Sequence, residues 1–438
     1  MRKVNMPHHS IQSSVATSSP SSPTRVIPVV SPRGIAAWSV RSDIAPLIAL
    51  SFTLEGGSSQ DPAGKEGLMQ LMSRLLDEGA GPYDSDAFQE EMAARAIELS
   101  FNVSPDGLSG SLKTLLTHAD KAFELLRLAL LEPQFDEKAI ERVRAQTLAG
   151  LRYQKNDPGV MASKAFFETG FPGHPYGSIG SGTLESVAAL TRQDIVDIHA
   201  RIVSRAQLKI AVVGAFDDAE IGRLLDRAFA DLPAANKLNQ IPKVILANRG
   251  KRILQDLDVP QSVIRFGCNG LSWSDPDFTA AYVLNHIFGG GAFTSRLFQE
   301  VREKRGLAYS VGTSLVSYRQ AAMTMGYTAT KNERVAECLE VISSEMMRLK
   351  TEGPSAEELQ KAKDYLIGSY ALGFDTSTKI SHQLVQIAFE GLDVEYLSRR
   401  NTLVAAVTLD DIRRVAERVF ADGSLLVVVA GRPEGFEV

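Results

Sequence analysis

Cysteine is scarce in this chain: Cys268 and Cys338 are the only two in 438 residues, and they lack C-x-x-C spacing. They read as buried free thiols rather than as a shared disulfide. No run of 18 apolar residues occurs, so no transmembrane helix is implied. No block of like charge occurs either, and the net charge is only −5, so nothing points to nucleic acid or to an acidic membrane surface. The first residues are rich in Ser, Pro and Thr and carry no apolar signal-peptide core. Residues 1–25 therefore read as a disordered tail, with His8 and His9 inside it. These absences describe a soluble protein, cytoplasmic or, if a signal was removed, periplasmic.

What is present is an ordinary globular composition, 44% hydrophobic and 23% charged, over a length that predicts two or more domains. The chain also repeats itself. Leu190–Ile195 resembles Val407–Ile412, and Ala211–Gly214 resembles Val428–Gly431; both pairs are separated by 217 residues (191 to 408, 214 to 431). Asp61-Pro62 resembles Asp275-Pro276 at nearly the same offset, 214. Two similar domains follow, 26–240 and 241–438, joined near 236–248.

Each half opens with a strand, at 45–54 and 261–268, and closes with a helix and an apolar strand, at 208–213 and 425–430. Helices are expected at 67–78, 85–95 and 112–131, and long ones from Asp136 and from Ser355. Ser355 has Glu358 three residues on, which is a capping box. Strands and helices do not alternate strictly, which favours an α+β fold: two duplicated domains, each an antiparallel sheet covered by helices.

Two places carry chemistry. In 67–76, Leu68, Leu71, Met72 and Leu75 form the buried stripe of an amphipathic helix. The opposite face holds Gln70, Ser73 and Arg74 at i, i+3 and i+4. That spacing would bring two metal ligands and a general base together, as in H-x-x-E-H. The residue types are wrong for it: Gln is a poor ligand, Ser is no carboxylate, and Arg is a permanent cation.

The second place is a helix expected over 294–305, ended by Gly306 and followed by a strand over 307–316. Arg302 lies in the last helical turn and Tyr309 on the strand, so a helix-to-strand hinge can bring their polar tips together. A guanidinium grips carboxylates and carbonyls, and a phenol can donate to a carbonyl becoming an oxyanion. Gly289, Gly290 and Gly291 precede this helix. They suit either a flexible turn or the close approach of another chain, and they lack the G-x-x-x-x-G-K-[ST] pattern of a phosphate loop.

The duplication, the lead-in Asp61-Pro62-Ala63-Gly64-Lys65-Glu66-Gly67-Leu68 and the run Ser295 to Tyr309 (SRLFQEVREKRGLAY) together resemble the pitrilysin/insulinase family of inverzincin zinc metallopeptidases. The similarity is to its short bacterial branch, related to mitochondrial processing peptidase, and it covers about residues 26–438. In that family the H-x-x-E-H residues would fall on Gln70, Ser73 and Arg74, and the third ligand, a downstream Glu, near Gly150. The resemblance thus implies a degenerate zinc site, with no metal on this chain. It also implies that Arg302 and Tyr309 reach the zinc site of the opposite half or subunit, and that Gly289–Gly291 touch substrate.

The expected function is therefore a non-catalytic, substrate-binding subunit of a heterodimeric zinc peptidase. Its partners would be a homologous subunit with intact H-x-x-E-H, which carries the zinc, and a peptide lying as an added strand on a sheet edge. Alternatives from other classes are a non-proteolytic scaffold in a larger complex and a homodimeric peptide-binding chamber. His174 sits in a turn with no second histidine at helical spacing and reads as structural.

Overall fold

A computed structural model describes residues 25–178 and 180–437. The expected tail of residues 1–25, with His8 and His9, lies outside them except for Arg25.

The first half forms a sheet from β1 (Ile27–Val30), β2 (Ala36–Arg41), β3 (Leu47–Glu55), β4 (Glu98–Val103), β5 (Gly107–Leu115) and β6 (Lys209–Gly214), in the order β1-β2-β6-β3-β5-β4. The second half forms another from β7 (Arg252–Asp256), β8 (Gln261–Asn269), β9 (Ala308–Ser317), β10 (Ala322–Lys331) and β11 (Leu426–Gly431), in the order β7-β11-β8-β10-β9. Without β1 the two orders coincide strand for strand, so the repeat read from the sequence is a repeat of topology. Each sheet is antiparallel except at one pair: β2 runs parallel to β6, and β7 to β11. The antiparallel sheets expected from the sequence each include this one parallel pair. There the closing strand returns from a long helical excursion, which is what a parallel connection requires.

The helices of the first half are α1 (Leu68–Ser73), α2 (Ser85–Ala93), α3 (Ala119–Leu131), α4 (Glu137–Gln154), α5 (Pro158–Gly170), α6 (Leu184–Ala189), α7 (Arg192–Ile202) and α8 (Asp218–Phe229). Those of the second are α9 (Phe278–Asn285), α10 (Val335–Thr351), α11 (Ala356–Tyr370), α12 (Ser377–Phe389), α13 (Tyr396–Ala406) and α14 (Leu409–Phe420). The repeat reaches the caps. Thr191 opens α7 and Thr408 opens α14, each in a capping box closed by an Asp three residues on. Ser355 and Glu358 form the capping box expected for α11.

The halves exchange helices. β3 reads LIALSFTLE and is buried along nearly its whole length, on both faces. Ile48, Leu50, Phe52 and Leu54 pack under the first half's own helices. The other face belongs to the second half: α12 lies on β3 and β6, with Ile380, Leu384 and Ile387 against Val40, Ala211 and Val213. Ser51, the polar residue in the middle of β3, shares a buried 2.8 Å hydrogen bond with Ser381 of α12. In return, α5 of the first half lies on β11 and β8, where Phe166 and Ala162 meet Leu426, Val428 and Ala430. This reciprocal cover explains why β3 and β11 are apolar runs rather than alternating strands.

The joint between halves has no regular structure from 231 to 251. It is nonetheless fastened: Gln60 exchanges two hydrogen bonds with the Asn239 backbone, and Val244 donates to the Gln320 carbonyl. His174 is structural, as expected. Its Nε2 lies 3.0 Å from the Pro242 carbonyl oxygen, and its Nδ1 accepts from the Tyr176 amide. Cys268 and Cys338 are both buried and free.

Candidate functional site

The helix expected over 67–78 is shorter, with α1 ending at Ser73 and turns following. Gly67 opens it at φ +93°, a left-handed conformation that suits glycine, and a Cβ there would sit 2.8 Å from the Ser181 carbonyl oxygen. The Asp61 carboxylate accepts from the Gly67 and Met69 amides at 2.9 and 2.8 Å, which anchors the lead-in to α1. Burial pushes the Asp61 carboxyl up to about 7 against the opposing pull of those amides.

On the polar side of α1, the Ser73 hydroxyl is fully buried and donates back to the Gln70 carbonyl at 3.0 Å. Arg74 is exposed and donates from Nη1 to the Thr147 hydroxyl of α4 at 3.3 Å. The structure thus gathers Gln70, Ser73, Arg74 and Thr147. Gly150 lies one turn further along α4, exposed, and a Cβ there would meet nothing within 4 Å. No imidazole, thiolate or carboxylate contributes, and a guanidinium occupies the middle of the group. Among the described residues no cluster of three or more His, Cys, Asp or Glu is arranged to hold a metal ion. Zinc does not fit this set of donors.

The second half holds the other group. The helix expected over 294–305 breaks at Ser295 and then winds wide as a π-helix over Phe298–Glu303, where the Lys304 amide bonds back to the Gln299 carbonyl. Gly306 ends it at φ +58°, and the Leu307 amide closes back on the Val301 carbonyl at 2.8 Å. This is the hinge expected between Arg302 and Tyr309. Its result is a stack: the Arg302 guanidinium carbon lies 4.8 Å from the centre of the Tyr309 ring and 4.7 Å from that of Phe298. Tyr309 is 84% exposed, whereas Phe298 is buried. The ion-pair contact of Arg302 among the described residues is a loose one, 3.7 Å to Glu303.

The glycines shape this surface differently from a flexible loop. His286–Gly290 is a second π-helical turn. Gly289 and Gly291 are buried, where a Cβ would lie 2.6 Å from the Thr313 hydroxyl or from the His286 carbonyl, so only Gly290 reaches the surface. Ala292 follows at φ +43°, and the exposed Phe293 after it meets Phe298 edge-on at 5.0 Å. Phe293, Phe298, Arg302 and Tyr309 therefore make one row. The meeting of Phe293 and Phe298 depends on a 3-10 turn over Ala292–Thr294 and an extended Ser295, inside a span expected as one helix; their five-residue spacing was the available sign.

Two family models match the chain. One, described as Insulinase (Peptidase family M16), covers residues 39–182; the other, the Peptidase M16 inactive domain, covers 189–366. The chain is 24% identical to the non-peptidase homolog YmxG of Helicobacter pylori, with 84% of this chain and 85% of that protein covered. It is 25% identical to an uncharacterized zinc protease of Streptomyces coelicolor, with 85% and 82% covered. Among solved structures it superposes on a peptidase M16 inactive domain from Pseudomonas fluorescens with a TM-score of 0.85 at 25% identity, over 94% of this chain and 99% of that one. A protease from Helicobacter pylori shares the fold, with a TM-score of 0.84 at 18% identity over 93% and 99%. With both halves of the repeat matched, over residues 39–182 and 189–366, the chain belongs to the insulinase-type M16 peptidase family.

Proposed function

We propose that this chain is the non-catalytic, substrate-binding subunit of a heterodimeric peptidase, and that it lends Arg302 and Tyr309 to a homologous partner with intact H-x-x-E-H. The observation that carries the reading is an asymmetry. The residues at the ligand positions cannot hold zinc, while the Arg302–Tyr309 pair is complete, ordered by a hinge and turned to solvent. Any hydrolytic metal would belong to the partner. On this chain the Tyr309 hydroxyl donates to the substrate carbonyl and Arg302 orients the peptide. Tyr309 sits on β9, an edge strand of the second sheet, so a peptide laid along that edge would run beside it. Gly290 is the member of the glycine run placed to touch such a peptide.

The test is co-purification with a sibling that carries H-x-x-E-H, followed by a peptide-hydrolysis assay of each chain alone and of the pair. Activity confined to the pair is expected. Robust hydrolysis by this chain alone, or stoichiometric zinc bound at the Gln70/Arg74 face, overturns the proposal.

A further inference from the structure

A cavity of about 350 Å³ opens where α9, the end of α11, α12 and α13 meet. Its walls are aromatic, with Trp273, Phe278, Tyr282, Tyr370 and Tyr396 all facing it. Arg400 of α13 lines it as well and is only 6% exposed. No Asp or Glu lines the cavity, and among the described residues no carboxylate lies within ion-pair distance of Arg400. A charge this buried is normally paired, because removing an ion from water costs several kcal/mol (roughly) unless an opposite charge replaces the lost solvent.

Part of the compensation is visible. Nη1 donates to the Leu366 carbonyl at 2.6 Å and to Asn401 Oδ1 at 2.9 Å. The guanidinium carbon lies 4.5 Å from the Tyr370 ring centre and 5.5 Å from that of Tyr282. The Nε and Nη2 donors have no acceptor among the described residues. Unused guanidinium donors inside a largely aromatic cavity of ligand size are what a bound anion with an apolar body would satisfy.

We propose that this cavity is a binding site for a carboxylate carried on an aromatic-sized apolar body. Arg400 takes the carboxylate, for which its planar fork is suited. Trp273, Phe278 and Tyr396 hold the apolar part. The same chemistry has two sources, a free organic acid and the C-terminal carboxylate of a peptide ending in an aromatic residue. The site uses neither Arg302 nor Tyr309 and stands independently of the function proposed above.

Trp273 in the wall provides the readout. The whole chain is titrated with 3-phenylpropionate, with 3-phenylpropanamide, and with a pentapeptide ending in Phe as free acid or amide, followed by tryptophan fluorescence and calorimetry. Saturable binding of an acid is expected, about 10- to 100-fold tighter than that of its amide, with a similar loss for Arg400→Gln. Binding of the small acid alone assigns a free organic acid; binding of the peptide acid at least as tightly assigns a chain end. Arg400→Lys, which keeps the cation but loses the planar fork, should weaken acid binding about 10-fold. That variant decides the matter if Arg400→Gln fails to fold, since it keeps a charge at the buried position. No saturation by either acid up to about 1 mM, equal binding of acid and amide, or unchanged binding by Arg400→Lys overturns the proposal.

Discussion

Arg302 is clamped between two rings, with the exposed Tyr309 at 4.8 Å and the buried Phe298 at 4.7 Å from its guanidinium carbon. The clamp holds a flexible side chain in one pose, and among the described residues its charge meets only the loose contact with Glu303. A cation over an exposed ring contributes only about 0.5–1 kcal/mol. Arg302→Met is therefore expected to shift the urea midpoint little, while markedly lowering peptide hydrolysis by the reconstituted pair. A loss of stability in proportion to the loss of activity would make Arg302 a structural residue.

Tyr309→Phe removes one hydroxyl and leaves the stack. If that hydroxyl is an oxyanion donor, turnover by the pair falls by about 10²–10³-fold. Unchanged turnover in a single-turnover assay would remove Tyr309 from the chemistry.

The donor set at Gln70, Ser73, Arg74 and Thr147 has no ligand suited to zinc. The purified chain is expected to carry substoichiometric zinc by elemental analysis and to melt at the same temperature with and without a chelator. A chelator-induced drop in melting temperature would reveal a metal that this geometry does not provide.

The exchanged helices make each half part of the other's core. Leu384 of α12 is fully buried against the first sheet, and Phe166 of α5 is fully buried against the second. Leu384→Ala should cost about 2–5 kcal/mol and Phe166→Ala about 3–5 kcal/mol. Calorimetry should show a single transition displaced as a whole in either variant. Two separate transitions would mean that the halves unfold independently.

Glu390, just past the end of α12, has its carboxyl pushed up to about 7, first by burial and then by Asp106, against the pull of Arg319 and a hydrogen bond from Gln386. A carboxyl raised in this way keeps its proton in the native state after the unfolded chain has released it near pH ~4.3. The stability it contributes is complete below that pH and drains away as pH climbs through about 7. Glu390→Gln is expected to gain on the wild type in urea midpoint at pH ~8 and to match it near pH ~4. A gap independent of pH would rule out titration of Glu390 as the cause.

The duplication was legible because its markers are local. A Thr cap with an Asp three residues on, and an apolar closing strand, recur at one offset and are realised in α7 and α14, β6 and β11. The span 112–131, expected as one helix, splits at Leu115 into the end of β5 and, from Ala119, α3. Leucines at 108, 112, 115 and 116 mimic a helical stripe, but the residues that face inward are Leu108, Gly110, Leu112 and Thr114, at strand period. Gly110 hides that alternation in the sequence because the Phe52 ring fills the space its side chain would need. β4 carries a short period-2 signal, with Leu99, Phe101 and Val103 alternating with Glu98, Ser100 and Asn102, over only six residues. At the candidate site the Arg302–Tyr309 hinge was readable from Gly306. The π-turn that holds Gly289 was not, since an extra residue in a turn leaves no composition mark.

The exchange of α5 and α12 also bears on how such a chain could outlive its own chemistry. Residues on the polar side of α1 can change while its buried stripe of Leu68, Leu71 and Met72 stays in place. The half that bears them cannot be deleted, because its sister's sheet would then present a bare oily face to water. Mutual upholstery of this kind preserves an idle half as scaffolding long after its original employment has ended.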